Sequence, residues 1–471
     1  MKNIFTIILL LTGIHIFAQP ALPELGYRWV LENNLSDEFD GSSINTSLWM
    51  NTDSRWIGRE PGLFMAEAVT VDEGNLRMTT DIFDEPKVVN GKTWTHQGSH
   101  VRSINKVKLG SFIECRMKAN KTFMSSTFWL INYSNESADC QRRTTELDVQ
   151  ECIGYPSTHA KTTQMGSNTH SRGIPESCTH IPAGSVGNHA ETNGKVYDNY
   201  FNYGVWWKSP TEILFYLDGE YKYTIKPAAD FDIDMYIKLV CETYNWSPPP
   251  ADGGMTGTWE ERTTFYEWVR TYSYVPVEQS DDNTTDIFTE EILFTEKPAE
   301  LDLSELNFKF NYKANSDKKI VLELKDGAGA VVASAEKDSY AGYAHTELGL
   351  TGVTQWGDYT IEVSMYNKND NTIVDSESYS IKVKDKDSAV VNQEALNKIR
   401  LSPNPSSNVV VLDGLISPSD YEIYTISGSL LKSGNVLEAD SVIDISDLSP
   451  ATYLVKVITN YGIKSLKFIK V

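Results

Sequence analysis

Three carboxylates stand within six residues of one another in the segment Thr144-Thr145-Glu146-Leu147-Asp148-Val149-Gln150-Glu151. Apolar and charged side chains alternate here, which predicts a β-strand whose successive side chains point to opposite faces. Glu146 and Asp148 then share one face, while Leu147 and Val149 enter a core. Glu151 lies an odd number of residues from Glu146 and points away in a regular strand. A one-residue β-bulge around Val149-Gln150 returns it to the carboxylate face. Across such a bulge the Glu146 and Glu151 backbones lie roughly 13 Å apart, and the long Glu side chains lean together with the shorter Asp148 between them. Mutual repulsion in this row raises at least one carboxyl pKa, so packing alone is a poor reason for it. Glycoside hydrolysis needs one ionised carboxylate and one protonated acid, set about 5–5.5 Å apart in a retaining enzyme. The bland alternative is an acidic edge strand that discourages aggregation. Nearby aromatics weigh against it. Phe128-Trp129-Leu130 precedes the motif, and Trp206-Trp207 and Phe215-Tyr216-Leu217-Asp218-Gly219 follow it. Trp faces stack on sugar rings, and their N–H groups bond hydroxyls.

Positioning such a row requires strands, and strands are what the chain offers. Of 471 residues, 64 are acidic and 42 basic, a net charge of −22 that repels nucleic acid and anionic membranes. Charged residues are 23% and aromatics 11%, as in a folded protein. The length suggests roughly three domains. Residues 1–19 read as a secretory signal peptide: Lys2, an apolar run from Ile4 to Phe17, then Ala18-Gln19. That run is shorter than a membrane span of about 20 residues, and no other stretch is long and apolar enough. From residue 20 to 277, strand-like runs such as Ser111–Lys118, Ser126–Asn132, Glu212–Leu217 and Met235–Thr243 recur between turns. No long helical period appears, so the class is all-β, a large β-sandwich or jelly roll. Residues 278–286 read as a polar linker. Residues 287–386 carry a second alternating pattern, from Leu306–Tyr312 to Ser378–Val383, which suggests an immunoglobulin-like sandwich. Gly327 and Gly329 mark a turn there, since a phosphate loop needs a third glycine and a following helix. Residues 387–394 are a second polar linker, and 395–471 form a small β-sandwich. Of five cysteines, Cys115, Cys140, Cys152, Cys178 and Cys241, none forms a C-x-x-C pair. One bridge, Cys140 to Cys178, is permitted in an exported protein, and most of the cysteines are expected as small buried hydrophobes. The chain also lacks the H-E-x-x-H, G-x-S-x-G and P-loop patterns, which disfavours metalloprotease, α/β-hydrolase and nucleotide chemistry.

The segment Glu146-Leu-Asp-Val-Gln-Glu151 resembles the E-x-D-x-x-E signature of glycoside hydrolase family 16 in its bulged form. Leu35-Ser-Asp-Glu-Phe-Asp-Gly41 with Leu48-Trp49, and the block from Tyr203-Gly-Val-Trp206 to Asp218-Gly219, are similar to that family too. The likeness covers about residues 25 to 275. It implies a jelly roll with a substrate cleft, with Glu146 as nucleophile and Glu151 as general acid/base. Asp148 would orient and tune Glu146. Within the family, four segments are similar to β-porphyranases and some related β-agarases. They are Ser54-Arg55-Trp56-Ile-Gly58-Arg59-Glu-Pro61-Gly62-Leu-Phe64, Asn120 to Trp129, Arg142-Arg143-Thr-Thr-Glu146 and Cys152-Ile-Gly154. Enzymes of this group cut β-1,4 linkages in red-algal galactans. The implied substrate is porphyran, whose L-galactose carries a 6-sulfate, with neutral agarose as the alternative. The C-terminal blocks Ser402-Pro403-Asn404-Pro405, Tyr424-Thr-Ile-Ser-Gly428, Ile443 to Leu448 and Thr452 to Val457 resemble the sorting domain of the Bacteroidetes type IX secretion system. That implies export across the outer membrane, to the cell surface or beyond, with the type IX machinery as a partner.

A sulfated ligand approaching an acidic protein needs local cations, and arginine suits best through its planar fork of donors. Arg59, three residues after Trp56, is the first candidate to bind sulfate, with Trp56 and Trp129 as sugar platforms. Arg142 and Arg143 lie just upstream of the carboxylates, where at least one is expected to pair with an acid instead. A surface salt bridge is the plain alternative for Arg59, and core packing for Trp56. His100 and His170 are the histidines expected near the cleft, and either could equally be structural. Glu242, Tyr244, Asn245 and Trp246 read as a further rim. No cofactor or catalytic metal is required. A structural calcium is compatible with the fold, though no ligand spacing demands one. The enzyme is expected to act as a monomer. A binding protein that kept the fold and lost catalysis is the rival from another class, and the three intact carboxylates argue against it. An adhesin built from sandwiches suits residues 287–471 but leaves the carboxylate row unexplained.

Overall fold

The computed structural model describes residues 20–133, 139–384, 393–416, 418–436, 441–459 and 462–471. The expected signal peptide, residues 1–19, lies outside them, as do residues 387–392 of the second linker. The chain forms two compact units. One runs to Glu290 and includes Asn311–Lys318 and Ser339–Thr346; the other holds the remainder.

The first unit is a two-sheet β-sandwich. The sheet that carries the carboxylates contains β1 (Gly58–Arg59), β2 (Gly62–Phe64), β3 (Lys92–Val107), β4 (Ser125–Ile131), β5 (Thr144–Ile153), β6 (Gln164–Arg172), β7 (Gly184–Glu191) and β8 (Met235–Cys241). Their order across the sheet is β7-β6-β5-β4-β8-β3-β2-β1. All neighbours are antiparallel except β2 and β3. The second sheet runs Glu220–Ile225, Glu212–Leu217, Phe201–Ser209, Phe112–Lys118, Thr263–Pro276 and Tyr27–Leu31. The alternation of β5 explains the sandwich. Leu147 and Val149 are fully buried and join Phe128, Leu130 and Leu239 of the same sheet. These pack with Ile113, Val205, Trp207 and Phe215 of the other sheet. Each such side chain contributes about 1.5–3 kcal/mol by leaving water.

The second unit contains a five-stranded sheet in the order Glu300–Asp302, Ile373–Lys384, Gly357–Asn367, Lys318–Lys325, Val331–Ser339. Near the C-terminus a three-stranded and a four-stranded sheet contribute Val410, Leu412, Ile423, Val455, Val457 and Phe468 to a separate core. The all-β reading holds, and strand ends shift by a few residues. The run expected over Met235–Thr243 ends at Cys241, and that over Ser126–Asn132 is Ser125–Ile131.

One expectation gains detail and one is corrected. Residues 278–286 contain no strand, as expected of a connecting stretch, and part of it is tied to the sandwich. The fully buried Arg28 donates to the carbonyls of Ala341 at 2.5 Å and Gln279 at 2.7 Å, and pairs with Asp281. A buried guanidinium demands such acceptors, so this acidic stretch is held against the sandwich. Trp206 and Trp207 do not offer faces to a sugar: both are buried on the second sheet, Trp207 in the central core. The Cys140–Cys178 bridge forms, and Cys115, Cys152 and Cys241 are buried thiols.

Candidate active site

The pairing of β4 with β5 breaks register once. Phe128 faces Gln150 and Trp129 faces Asp148, which leaves Val149 as the extra residue of a bulge. Val149 sits in the core, and beyond it the strand regains the phase that brings Glu151 to the same side as Glu146 and Asp148. All three line one cleft of about 350 Å³, together with Trp56, Arg59, Trp129, Tyr133, His170, Arg172, Lys238, Glu242 and Tyr244.

Each carboxylate has a partner. Arg172 at the end of β6 holds both oxygens of Glu146, Nη1 to Oε1 at 3.0 Å and Nη2 to Oε2 at 2.5 Å. His170 faces Glu146 in the β5–β6 register. Its Nε2 lies 3.1 Å from Asp148 Oδ2 and 3.9 Å from Glu146 Oε1, while Nδ1 meets Ser185 Oγ at 2.6 Å. Lys161 pairs with Glu151, which also bonds the Tyr244 hydroxyl. Burial pushes the Asp148 carboxyl up to about 7; the His170 hydrogen bond opposes the rise, and the Glu146 and Glu151 charges add to it. The same hydrogen bond raises the His170 pKa against its burial. Asp148 therefore carries a proton up to near-neutral pH, between Glu146 and Glu151 on its strand.

Elsewhere in the cleft, Arg59 Nε bonds Glu242 Oε2 at 2.7 Å. Burial pushes Glu242 up to about 7 despite that partner. Lys238 lies beneath an aromatic cage, with Nζ 4.9 Å from the Trp56 ring centre, 5.3 Å from Tyr133 and 5.4 Å from Trp129. Burial lowers its pKa to about 8, opposed by the Asp53 charge. Asp53 accepts from the Tyr133 hydroxyl at 2.7 Å and from Arg55, so one side of the cage is braced. Among the described residues, the donor atoms that could jointly hold a cation are those of Glu146, Asp148 and His170, within 4.8 Å of one another. An ion there would compete with the Arg172 fork.

Of the residues singled out in the sequence, Glu146, Asp148, Glu151, Trp56, Arg59, Trp129, His170 and Glu242 meet in this cleft. Trp246 is half exposed beside it and stacks on Tyr244 at 4.5 Å. Three others stand apart. His100 is 1% exposed and packs behind Trp56 and Phe64, its pKa driven down to about 3 chiefly by burial. Arg143 is buried and bonds the carbonyls of Cys140 and Asp230 and the carboxylate of Asp232. Arg142 is exposed in the short turn before β5 and does not line the cleft. Sequence reasoning missed Arg172, Lys238, Lys161 and Tyr133. Two of them left a signal: His170 and Arg172 stand two apart on one strand face, and Lys238 interrupts the apolar run Met-Tyr-Ile-Lys-Leu-Val-Cys.

Comparison with known proteins agrees with this geometry. The profile of the β-porphyranase A–D GH16 domain matches residues 29–274. A porphyranase-associated domain matches 292–376, and a secretion system C-terminal sorting domain matches 400–471. β-Porphyranase B of Zobellia galactanivorans is 48% identical over 285 residues, 58% of this chain and 96% of that protein. β-Porphyranase D of the same organism is 32% identical over 373 residues, 70% of this chain and 82% of that protein. A crystal structure of porphyranase B from Zobellia galactanivorans superposes with a TM-score of 0.52, covering 55% of this chain and 97% of that one. With a carboxylate row on a bulged strand and a sorting domain at the C-terminus that marks a secreted or surface protein, the chain belongs to the β-porphyranases of glycoside hydrolase family 16.

Proposed function

We propose that this enzyme is an endo-acting, retaining hydrolase of β-1,4 linkages in porphyran, exported by a type IX machinery. One observation carries the reading: the bulge at Val149 sets Glu146, Asp148 and Glu151 along a cleft that also holds Trp56, Trp129 and the cations Arg59 and Lys238. In the first step a Glu146 oxygen attacks the anomeric carbon. Glu151 gives its proton to the glycosidic oxygen, and the C–O bond breaks to leave a glycosyl ester. In the second step Glu151 takes a proton from water, the water oxygen attacks the same carbon, and Glu146 departs as carboxylate. Asp148, on the same strand face and held by His170, tunes the charge of Glu146 as the ester forms and breaks. The route needs no cofactor.

Trp56 and Trp129 offer ring edges and faces to the sugars. Arg59 and Lys238 supply positive charge for the sulfate in a protein of net charge −22. The test is to incubate the full mature chain with purified porphyran and purified agarose, size the oligosaccharides, and follow the new reducing end by NMR. Oligosaccharides from porphyran, with the β-anomer formed first, are expected. Release from agarose alone would assign the enzyme to neutral galactan, and an initial α-anomer would rule out the double displacement.

A further inference from the structure

The Arg172–Glu146 pair poses a chemical problem. A nucleophile whose two oxygens are both held by a guanidinium has its charge damped, yet it must attack carbon. The exposure of the partners differs: the Glu146 side chain is 14% exposed and that of Arg172 is 50% exposed. Arg172 is the last residue of β6 and is followed by Gly173 at φ 64°, so its fork reaches Glu146 from the strand end and lies open to the cleft. Arg59, which pairs with Glu242, lines the same cleft. A sulfate presents paired oxygens to a guanidinium much as a carboxylate does. His170 stays behind, bonded to Asp148 and 3.9 Å from Glu146.

We propose that Arg172 is a substrate-released lock on Glu146: a sulfate of the bound galactan takes the guanidinium fork and frees the nucleophile. The lock rests on the reading of Glu146 as nucleophile and of the substrate as sulfated. It makes Arg172 a residue of specificity. A neutral chain binds but leaves the fork on Glu146, whereas a sulfated chain exchanges one ion pair for another and unmasks the attacking oxygen.

The test uses the full mature enzyme, Arg172→Ala, Arg172→Lys, and two readouts. The first is labelling of Glu146 by an activated 2-deoxy-2-fluoro-galactoside, in which a Glu146 oxygen bonds to the anomeric carbon and dinitrophenolate leaves with the electron pair. Arg172→Ala is expected to label about fivefold faster than wild type, the factor an exposed ion pair represents. Added inorganic sulfate should speed wild-type labelling and leave Arg172→Ala unmoved, with Arg172→Lys between. The second readout is kcat/KM on porphyran oligosaccharides before and after solvolytic desulfation. Wild type should prefer the sulfated form, and Arg172→Ala should lose that preference by falling on the sulfated substrate and rising on the desulfated one. Slower labelling in Arg172→Ala, or equal losses on both substrates, would overturn the lock and leave Arg172 a fixed positioning group. Wild type without a sulfate preference would instead overturn the porphyran reading, and the sulfate effect on labelling would still decide whether the fork releases Glu146. Labelling at a residue other than Glu146 would overturn the nucleophile assignment and the lock with it.

Discussion

Asp148 and Glu114 are both buried carboxyls pushed up to about 7, each chiefly by burial, yet they stand on different sheets and in different company. Asp148 opens on the cleft, with Glu146 and Glu151 along its strand and His170 at 3.1 Å. Glu114, 2% exposed on the strand Phe112–Lys118, accepts from the Tyr272 hydroxyl at 3.3 Å. The nearby Arg270 is committed to Glu38 through two bonds of 2.8 Å. The lesson is that a raised carboxyl pKa measures loss of water, and that catalysis also requires an opening and a second acid within reach.

The largest effect should come from breaking the cleft row. Glu146→Ser and Glu151→Gln are expected to lower kcat by about four orders of magnitude while binding survives, whereas Glu114→Gln stays within about twofold. Reducing-end release and an affinity-gel shift read both quantities. A comparable loss in Glu114→Gln would erase the distinction. Next in size is the bridge. Cys140 and Cys178, 38 residues apart, join the segments just before β5 and after β6, the hairpin that carries Glu146, Asp148, His170 and Arg172. Replacing both by Ser should cost about 4 kcal/mol of stability by the loop-closure argument, seen as a lower Tm. An unchanged Tm would mean the hairpin needs no clamp.

A smaller effect separates the cations. Lys238 loses its charge as pH rises through about 8, so KM for sulfated oligosaccharides should climb above that pH. Lys238→Gln should raise KM about tenfold and flatten that climb, and a pH dependence preserved in the variant would clear Lys238 of the role. The last effect, spread over more than two pH units, returns to Glu114. Its folded pKa lies above the ordinary 4.5, so between 4.5 and about 7 the folded protein holds a proton that the unfolded chain releases. Stability therefore falls as pH rises through that window, by at most about 1.4 kcal/mol per pH unit. Glu114→Gln should remove that part of the slope in Tm measured from pH 4.5 to 7.5. A slope unchanged by the substitution would mean that the carboxyl ionises freely in the fold.

Much of the site was legible along the chain because a strand has period two. Glu146, Asp148, Leu147 and Val149 sort themselves by alternation, and the bulge follows from asking how Glu151 rejoins them. Trp129 and Trp206 show the limit. Both flank the motif in sequence, both lie in apolar runs, and one lines the cleft while the other is buried on the opposite sheet. Alternation assigns residues to the two faces of a strand without saying which sheet that strand joins. His100 and His170 show a second limit within one sheet: β3 packs its histidine behind Trp56, and β6, next to β5, presents its own beside Asp148.

The sequence by itself determined the all-β class, the carboxylate row, the need for a bulge and the likeness to a galactan hydrolase with a sorting tail. These rest on local periodicity and short spacings, which a linear text preserves. Tertiary structure alone decided which cation meets which acid: Arg172 with Glu146, Lys161 with Glu151, Arg59 with Glu242, and Lys238 under three aromatic rings. Arg172 and Glu146 stand 26 positions apart, and Arg59 and Glu242 stand 183 apart. Strand pairing and sheet order set such meetings, and charge is recognised through space at a few ångströms, where sequence distance has no meaning.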